Sequence, residues 1–335
     1  MRIGIDCRKI ADYGIGTYVR GLLHALVKLG SDEYVAFGGS AIAASLPSGV
    51  EHVVVDAPHY SIRELGTMGR AVDAASLDLF HAPHYVVPRM RTPFVVTIHD
   101  LIHLRHRNPL ARTYAWAMIR SAVKNSRRVL TVSKTVADEI RQRFGGNVVV
   151  APNGVDAIFN ASGPRAGGRY FLYAGNDKRH KNVDRLVDAF AFVRRHEPAN
   201  LILVGADFKR FAARDGVILA GFVPQQQLAS LYRGAIALVM PSIEEGFGLP
   251  AAEAMASGTA VITSTSEALM ELTADAAMHV PAKSVATIAD AMLRMLRDAP
   301  MRAMLIDRAR RRIADFTWER CAQLTRDAYR ATKLA

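Results

Sequence analysis

Cysteine is scarce in this chain. Of 335 residues only Cys7 and Cys321 are cysteines, far apart and without the spacing of a metal-ligand set. A zinc site built on cysteine is thereby excluded, and both thiols fit a reduced, cytosolic setting. No apolar run approaches the length needed to span a bilayer. Met1-Arg2-Ile3-Gly4-Ile5-Asp6 reads directly as a first strand, with no apolar signal region before it. Helix-turn-helix, zinc-finger and RNA-binding signatures are missing, so no nucleic-acid partner is expected. Short repeats and low-complexity tracts are also lacking. Acidic residues are in deficit, 31 against 43 Lys and Arg, for a net charge of +12. The excess is spread along the chain: 20 basic against 13 acidic residues in 1–165, and 23 against 18 in 166–335. A surface of that sign attracts anionic lipid or phosphorylated substrates.

What is present is a globular composition, half apolar and 22% charged, at a length comfortable for two domains. Short β-branched or aromatic runs, such as Ile3 to Ile5, Tyr34 to Phe37 and Phe94 to Ile98, alternate with helical patterns. Thr17 to Leu29 places Tyr18, Leu22, Leu23, Leu26 and Val27 on one face, with Gly30 as a stop. Ser133 is placed to cap a helix over Thr135 to Phe144. Asn160 to Gly168, rich in Gly, Pro, Ser and Arg, is the best linker, after which the alternation resumes from Tyr170. Strands alternating with helices predict α/β architecture with parallel, doubly wound sheets. The expected domains are 1–162 and 163–316, followed by a helix over 317–335 that begins at Phe316-Thr317-Trp318-Glu319. The residues of that helix fit packing on either domain.

The most informative stretch is Pro241-Ser242-Ile243-Glu244-Glu245-Gly246-Phe247-Gly248-Leu249-Pro250-Ala251-Ala252-Glu253. It follows a buried-strand pattern, Ala235 to Met240, and opens a helix at Pro250. Ligands bind at such junctions of open α/β sheets, where exposed N–H groups favour anions and glycine admits close approach. Glu245 and Glu253 add acceptors for hydroxyl groups. Phosphate plus polyol is the chemistry this suggests. A second strand-to-helix junction, Gly175-Asn176-Asp177-Lys178-Arg179-His180-Lys181, brings an ammonium to backbone N–H groups. In the first half, Asp12-Tyr13-Gly14-Ile15-Gly16-Thr17 makes another glycine loop before a helix, without the third glycine of a dinucleotide fingerprint. His99-Asp100 ends the strand Phe94 to Ile98, and His81, His84 and Tyr85 end the strand before it. With His103 and His106 nearby, the histidines invite a metal reading, but their spacings match no zinc pattern.

The stretch E-G-F-G-L-P-A-A-E-A-M-A-S-G, after Pro241-Ser242 and before Gly258 to Ile262, resembles the signature of retaining glycosyltransferases of family 4. Their fold is GT-B, two Rossmann-like domains facing each other across a cleft, with a C-terminal helix crossing back to the first domain. From His81-Ala82-Pro83-His84-Tyr85 and Thr97-Ile98-His99-Asp100-Leu101, the nearest flavour is bacterial mannosyltransferases of polysaccharide assembly. The resemblance implies an acceptor-binding first domain and a donor-binding second domain. A hexose would pass from a GDP- or UDP-sugar to a lipid-linked or growing glycan.

By the same resemblance, Glu253 accepts hydrogen bonds from the donor ribose and Glu245 lies near the transferred sugar. Gly246, Phe247, Gly248 and Leu249 face the sugar and diphosphate, and Val223 belongs to the donor set. Gly14 and Gly16 face the donor from the first domain. Lys181 grips the diphosphate. The family's usual Arg after Gly175 is replaced by Asn176, which leaves Arg179 or Lys178 to supply the second charge. His99 hydrogen-bonds sugar hydroxyls and helps stabilise developing charge, with His99, Glu245 and Lys181 as the catalytic set. His81, His84, Tyr85 and Asp100 line the acceptor side. No Asp-x-Asp occurs, which removes the metal clamp of the other large glycosyltransferase fold, so no cofactor or metal is expected. The expected location is the cytoplasm, with peripheral contact to anionic membrane through the basic, aromatic helix around Arg112, Tyr114, Trp116 and Arg120. The alternatives are a nucleotide-sugar epimerase of the same fold and a nucleotide-sugar-binding protein without turnover.

Overall fold

Apolar β-branched runs with no polar alternation suit strands covered on both faces, and helices do that covering in parallel sheets. The computed structural model shows this arrangement twice; it describes residues 1–55 and 62–333. In chain order the first unit contains β1 (Arg2–Asp6), α1 (Ile15–Leu29), β2 (Glu33–Gly38), β3 (Glu51–Val54), α2 (Ile62–Ala74), β4 (Leu79–Ala82) and β5 (Phe94–Ile98). It continues with α3 (Pro109–Asn125), β6 (Arg128–Thr131), α4 (Lys134–Phe144) and β7 (Val148–Val150). The second unit holds β8 (Tyr170–Asn176), α5 (Val183–His196), β9 (Asn200–Ala206), β10 (Val217–Gly221), α6 (Gln225–Gly234) and β11 (Ala237–Met240). Then come α7 (Leu249–Ala256), β12 (Ala260–Ser264), α8 (Glu267–Thr273), β13 (Met278–Val280), α9 (Val285–Arg297) and α10 (Ala299–Ile313). The last helix is α11 (Trp318–Arg330).

The first sheet has the order β3-β2-β1-β4-β5-β6-β7 and the second β10-β9-β8-β11-β12-β13. All pairings are parallel. Strand order therefore reverses between β1 and β4 in one sheet and between β8 and β11 in the other. Those are the points where the loops at the carboxyl ends diverge and leave a crevice.

Local signals act as their chemistry requires. Gly30 takes φ 66° and its N–H reaches the Val27 carbonyl, ending α1. Ser133 Oγ accepts from the Val136 N–H at 3.2 Å, starting α4. Asn108 caps α3 in the same way, with Pro109 at its first position.

One unit comprises Met1–Gly154 with Phe316–Ala335, and the other Val155–Asp315. The boundary thus lies at Gly154 rather than at 162. Val155 to Gly163 joins the second unit because the Phe159 ring packs edge-on against Tyr232, and Arg233 binds the Asn160 carbonyl. Helix α11 packs on α1 in the first unit, which its own residues left undecided. Trp318, Cys321, Ala322, Ala328 and Tyr329 are buried there among Tyr18, Leu22 and Leu26. Residues 334 and 335 of the expected terminal helix lie outside the described residues.

The seat of α11 depends on a glycine. A Cβ at Gly21 would stand 2.1 Å from Trp318 Cε2. Inside a helix Gly→Ala ordinarily stabilises by about 1 kcal/mol. Here the sign reverses: Gly21→Ala is expected to destabilise by about 1–3 kcal/mol, as overpacking does. A lower urea midpoint at unchanged slope would show it, and a raised midpoint would contradict the packing.

Candidate functional site

Two loops meet at the reversal point of the second sheet. After β8 the chain makes a 3-10 turn, Arg179–Lys181, and enters α5 through Asn182 in left-handed backbone (φ 62°). After β11 it runs from Pro241 to Gly248 into α7. Asn182 Nδ2 donates to the Pro241 carbonyl at 3.0 Å and to the Ala282 carbonyl at 2.6 Å. The Ile243 N–H donates to the His180 carbonyl at 2.7 Å. Loops from three different strand ends are thus held together before any ligand arrives.

On this frame Lys181 Nζ donates to both oxygens of Glu245, at 2.7 and 2.9 Å, with 17% and 8% of the two side chains exposed. Two ammonium protons are spent on Glu245. A third remains, so Lys181 can reach a phosphate without giving up its partner. Gly246 and Phe247 are buried, and Gly248 caps α7 at φ 105°. A Cβ at Gly248 would lie 2.5 Å from Leu269 Cδ2, so backbone and packing both demand glycine there. Leu249 opens α7.

Glu253 lies one turn along α7, half-buried. Burial pushes its carboxyl up to about 8, offset in part by the Tyr232 hydroxyl that donates to Oε2 at 2.9 Å; the Asp156 charge raises it further. The group is therefore a neutral acid near pH 7, not the charged acceptor the motif suggests. The physical reason is burial, which the single hydrogen bond from Tyr232 does not offset. Val223 is half-buried in the turn between β10 and α6.

Asn176 Oδ1 accepts the Lys178 N–H at 3.2 Å, forming a turn at the position where the resemblance implies Arg. Arg179 and Lys178 are both exposed next to Lys181, so either guanidinium or ammonium is available to an entering anion.

In the first unit the corresponding reversal point is flanked by the β1–α1 loop and the residues after β4. Gly14 adopts φ 61°, and a Cβ at Gly16 would meet the Ile10 carbonyl at 2.5 Å. The small size of Gly16 is thus required by its own loop. His99 is half-buried at the end of β5 and its Nε2 meets the Pro83 carbonyl at 3.1 Å. A carbonyl only accepts, so Nε2 carries the proton and Nδ1 is left as an acceptor. Burial lowers this imidazole to about 4, against the raising effects of Asp100 and the Pro83 carbonyl, so it is neutral at pH 7. His84 stacks on Tyr85 at 4.2 Å, and Tyr85 meets His103 edge-on at 5.6 Å. Burial holds His84 well below its usual range, with Lys9 next in effect. Asp100 Oδ1 accepts the Ile102 N–H at 3.0 Å, an internal turn contact.

His81 does not belong to this group. It is fully buried, with Nδ1 2.6 Å from the Tyr329 hydroxyl and Nε2 2.7 Å from Thr97 Oγ1. Burial pushes it down to about 3. Both nitrogens are used inside the core, so the expected acceptor-side role fails. Sequence reasoning also passed over Asn182, Tyr232 and Asp156. Asn182 directly follows Lys181 at a helix start, where Asn is a common cap, and that signal was readable. Tyr232 and Asp156 reach Glu253 only through the fold.

No group of three or more His, Cys, Asp or Glu among the described residues could hold a metal ion. No helix among them is long and apolar enough to cross a membrane.

Comparison with known proteins bears on the same two units. The family described as Glycosyltransferase Family 4 matches residues 13–158, and Glycosyl transferases group 1 matches residues 155–312. The O-antigen chain mannosyltransferase RfbU of Salmonella typhimurium is 30% identical over 199 residues, 54% of each chain. The chain spans about half the length of the curated relatives it matches first. Sucrose-phosphate synthase from Thermosynechococcus elongatus superposes with a TM-score of 0.84 at 22% identity, over 100% of this chain and 99% of its own. Anabaena HepE in complex with UDP-glucose gives 0.78 at 17% identity, over 99% of this chain and 100% of its own. At these identities the structures establish a shared fold.

Proposed function

The chain belongs to the glycosyltransferases of GT-B fold, family 4 over its first unit and group 1 over its second, and from that premise we propose that it transfers a hexose from a nucleotide diphosphate sugar. The transferred sugar is mannose, the acceptor is a lipid-linked or growing glycan, and the product retains the anomeric configuration of the donor. The observation that carries this reading is the Lys181–Glu245 pair at the reversal point of the second sheet, with Glu253 one turn along the adjoining helix. A diphosphate leaving group needs positive charge, which the third Lys181 proton and the N-terminal ends of α5 and α7 supply. Hydroxyl recognition falls to Glu245 and Glu253. Neutral His99 in the first unit leaves its Nδ1 free to accept from a sugar hydroxyl. The leaving phosphate receives the acceptor proton, since no pair of carboxylates set for double displacement was evident in the sequence. The mannosyl assignment is supported by the similarity to RfbU.

The test incubates purified protein with GDP- and UDP-sugars, membrane extract and EDTA, and follows the product's anomeric signal by NMR. Transfer with retained configuration, undiminished by EDTA, is expected. An inverted product refutes the retaining route, and loss with EDTA refutes metal independence. Isomerised donor without acceptor would instead indicate an epimerase, and an unconsumed donor a binding protein.

Membrane contact is proposed through α3. Leu110 is 80% exposed, with Tyr114 and Trp116 exposed on the same helix and Arg120 stacked over the Trp116 ring at 5.2 Å. Arg105, Arg107, Arg112 and Lys124 are exposed beside them. Each cation near an anionic surface contributes about 1 kcal/mol. Co-sedimentation with phosphatidylglycerol-containing vesicles, but not with neutral ones, is expected, and Leu110→Ser with Trp116→Ala should weaken it. Equal binding to both vesicle types would contradict the assignment.

A further inference from the structure

A chain of buried hydrogen bonds runs through the first unit and ends beneath His99. Tyr329 on α11 meets His81 Nδ1 at 2.6 Å, and His81 Nε2 meets Thr97 Oγ1 at 2.7 Å. Thr97 Oγ1 in turn meets the Tyr18 hydroxyl at 2.9 Å. All four side chains are essentially sealed from solvent. The chain draws one member from each of α11, β4, β5 and α1, so it fixes the Tyr18 hydroxyl relative to the sheet. The Tyr18 ring then stands edge-on to the His99 imidazole, 4.7 Å between centroids at 82°. His99 has one further fixed point, its Nε2 contact with the Pro83 carbonyl. A ring with a hydrogen bond on one side and an aromatic edge against it is held in one orientation.

We infer that Tyr18 is a positioning residue for His99, tethered by the Thr97–His81–Tyr329 chain, so that seating of the C-terminal helix sets the orientation in which Nδ1 is offered as an acceptor. The inference rests on the proposed role of His99 toward sugar hydroxyls. It goes further in giving α11 a part in turnover through named atoms, not through stability alone. It also accounts for the cost of four polar groups in an otherwise apolar core. Leu and Phe would fill the same volume without needing partners, and a half-satisfied set would be worse than none.

The groups facing the chain are few. Cys321 acts on both tyrosines, and Tyr34 and Asp32 act on Tyr329. Burial keeps the phenols far above their usual range and His81 far below its own. The chain is therefore uncharged across the neutral range and works by geometry.

The experiment uses the full chain with histidine ring nitrogens labelled and His99 assigned by comparison with His99→Gln. In wild type, His99 should show a single Nε2–H tautomer. In Tyr18→Leu the ring loses its support, and the two nitrogen shifts should move toward each other. The kcat should fall about tenfold or more with donor KM within about twofold, as misplacement of a positioned group does. Tyr18→Phe keeps the ring but cuts the tether, and should shift both readouts in the same direction as Tyr18→Leu by less. Tyr329→Phe, cut at the far end, should shift the His99 signals in the same direction by less. If Tyr18→Leu does not fold, Thr97→Val cuts the chain at its hinge with little change in volume and is read in the same way. A folded variant whose His99 signals and kcat match wild type overturns the inference. The ring signals are read without substrate, so they still test positioning if His99→Ala keeps full turnover. That last result would sink the role given to His99 instead.

Discussion

Lys181→Ala is expected to lower kcat by about 10²–10³-fold, the range found when one preorganised donor to a developing anion is removed. The same change should destabilise the second unit by about 3 kcal/mol, because it leaves a largely buried carboxylate without its cation. The two effects have separate causes, and a double variant parts them. Lys181→Ala combined with Glu245→Ala removes both charges, so the melting temperature should climb back toward wild type while turnover stays lost. Adding UDP or GDP to the single variant should raise its melting temperature less than in wild type, since fewer groups grip the diphosphate. If the single variant keeps its turnover, the assignment of the leaving-group site is wrong. If the double variant is no more stable than the single one, the ion pair is not the reason for the loss.

Glu253 gives the second large effect, and its size depends on pH. Glu253→Ala should weaken donor binding by about 10–100-fold, the cost of a buried hydroxyl left without a partner. Glu253→Gln should bind nearly as well as wild type at pH 7, because the native group is itself neutral there. The stability argument follows from linkage. The carboxyl titrates near 4.5 in the unfolded chain and near 8 in the folded one. Between those values the unfolded state has lost its proton and the folded state has kept it. Wild type therefore loses stability as pH rises from 4.5 to 8, and the loss levels off above 8. Glu253→Gln removes that slope, so the difference in melting temperature between the two should grow in favour of Gln across the window. A constant difference would mean that Glu253 is ionised in the native state. Calorimetry at four or five pH values decides it.

Much of the candidate site in the second unit was legible in the sequence because its geometry is local. Gly248 must be glycine for its backbone and for Leu269, and Gly246 and Glu245 sit in register with it. Lys181 opens a helix after a strand, a position that concentrates N–H groups whatever surrounds it. The first unit was read less well. His81 and His99 look alike in sequence, since each stands near the end of an apolar strand. They separate in space because His81 is a strand residue bonded on both sides within the core, while His99 lies one position past its strand. Helices α2 and α8 and strand β13 went unread. The last two are only seven and three residues long and carry too little periodicity to register.

Residue order alone settled the alternation of strands and helices and the two-sheet architecture. Each of these follows from neighbours a few positions apart: β-branching, apolar spacing, glycine and a cap. The protonation of Glu253, the bond between Lys181 and Glu245, the fate of His81 and the seat of α11 were decided only on folding. They depend on groups brought together from 16 to 297 positions away, as with His81 and Thr97 or Gly21 and Trp318, and on how much water the surrounding core leaves them.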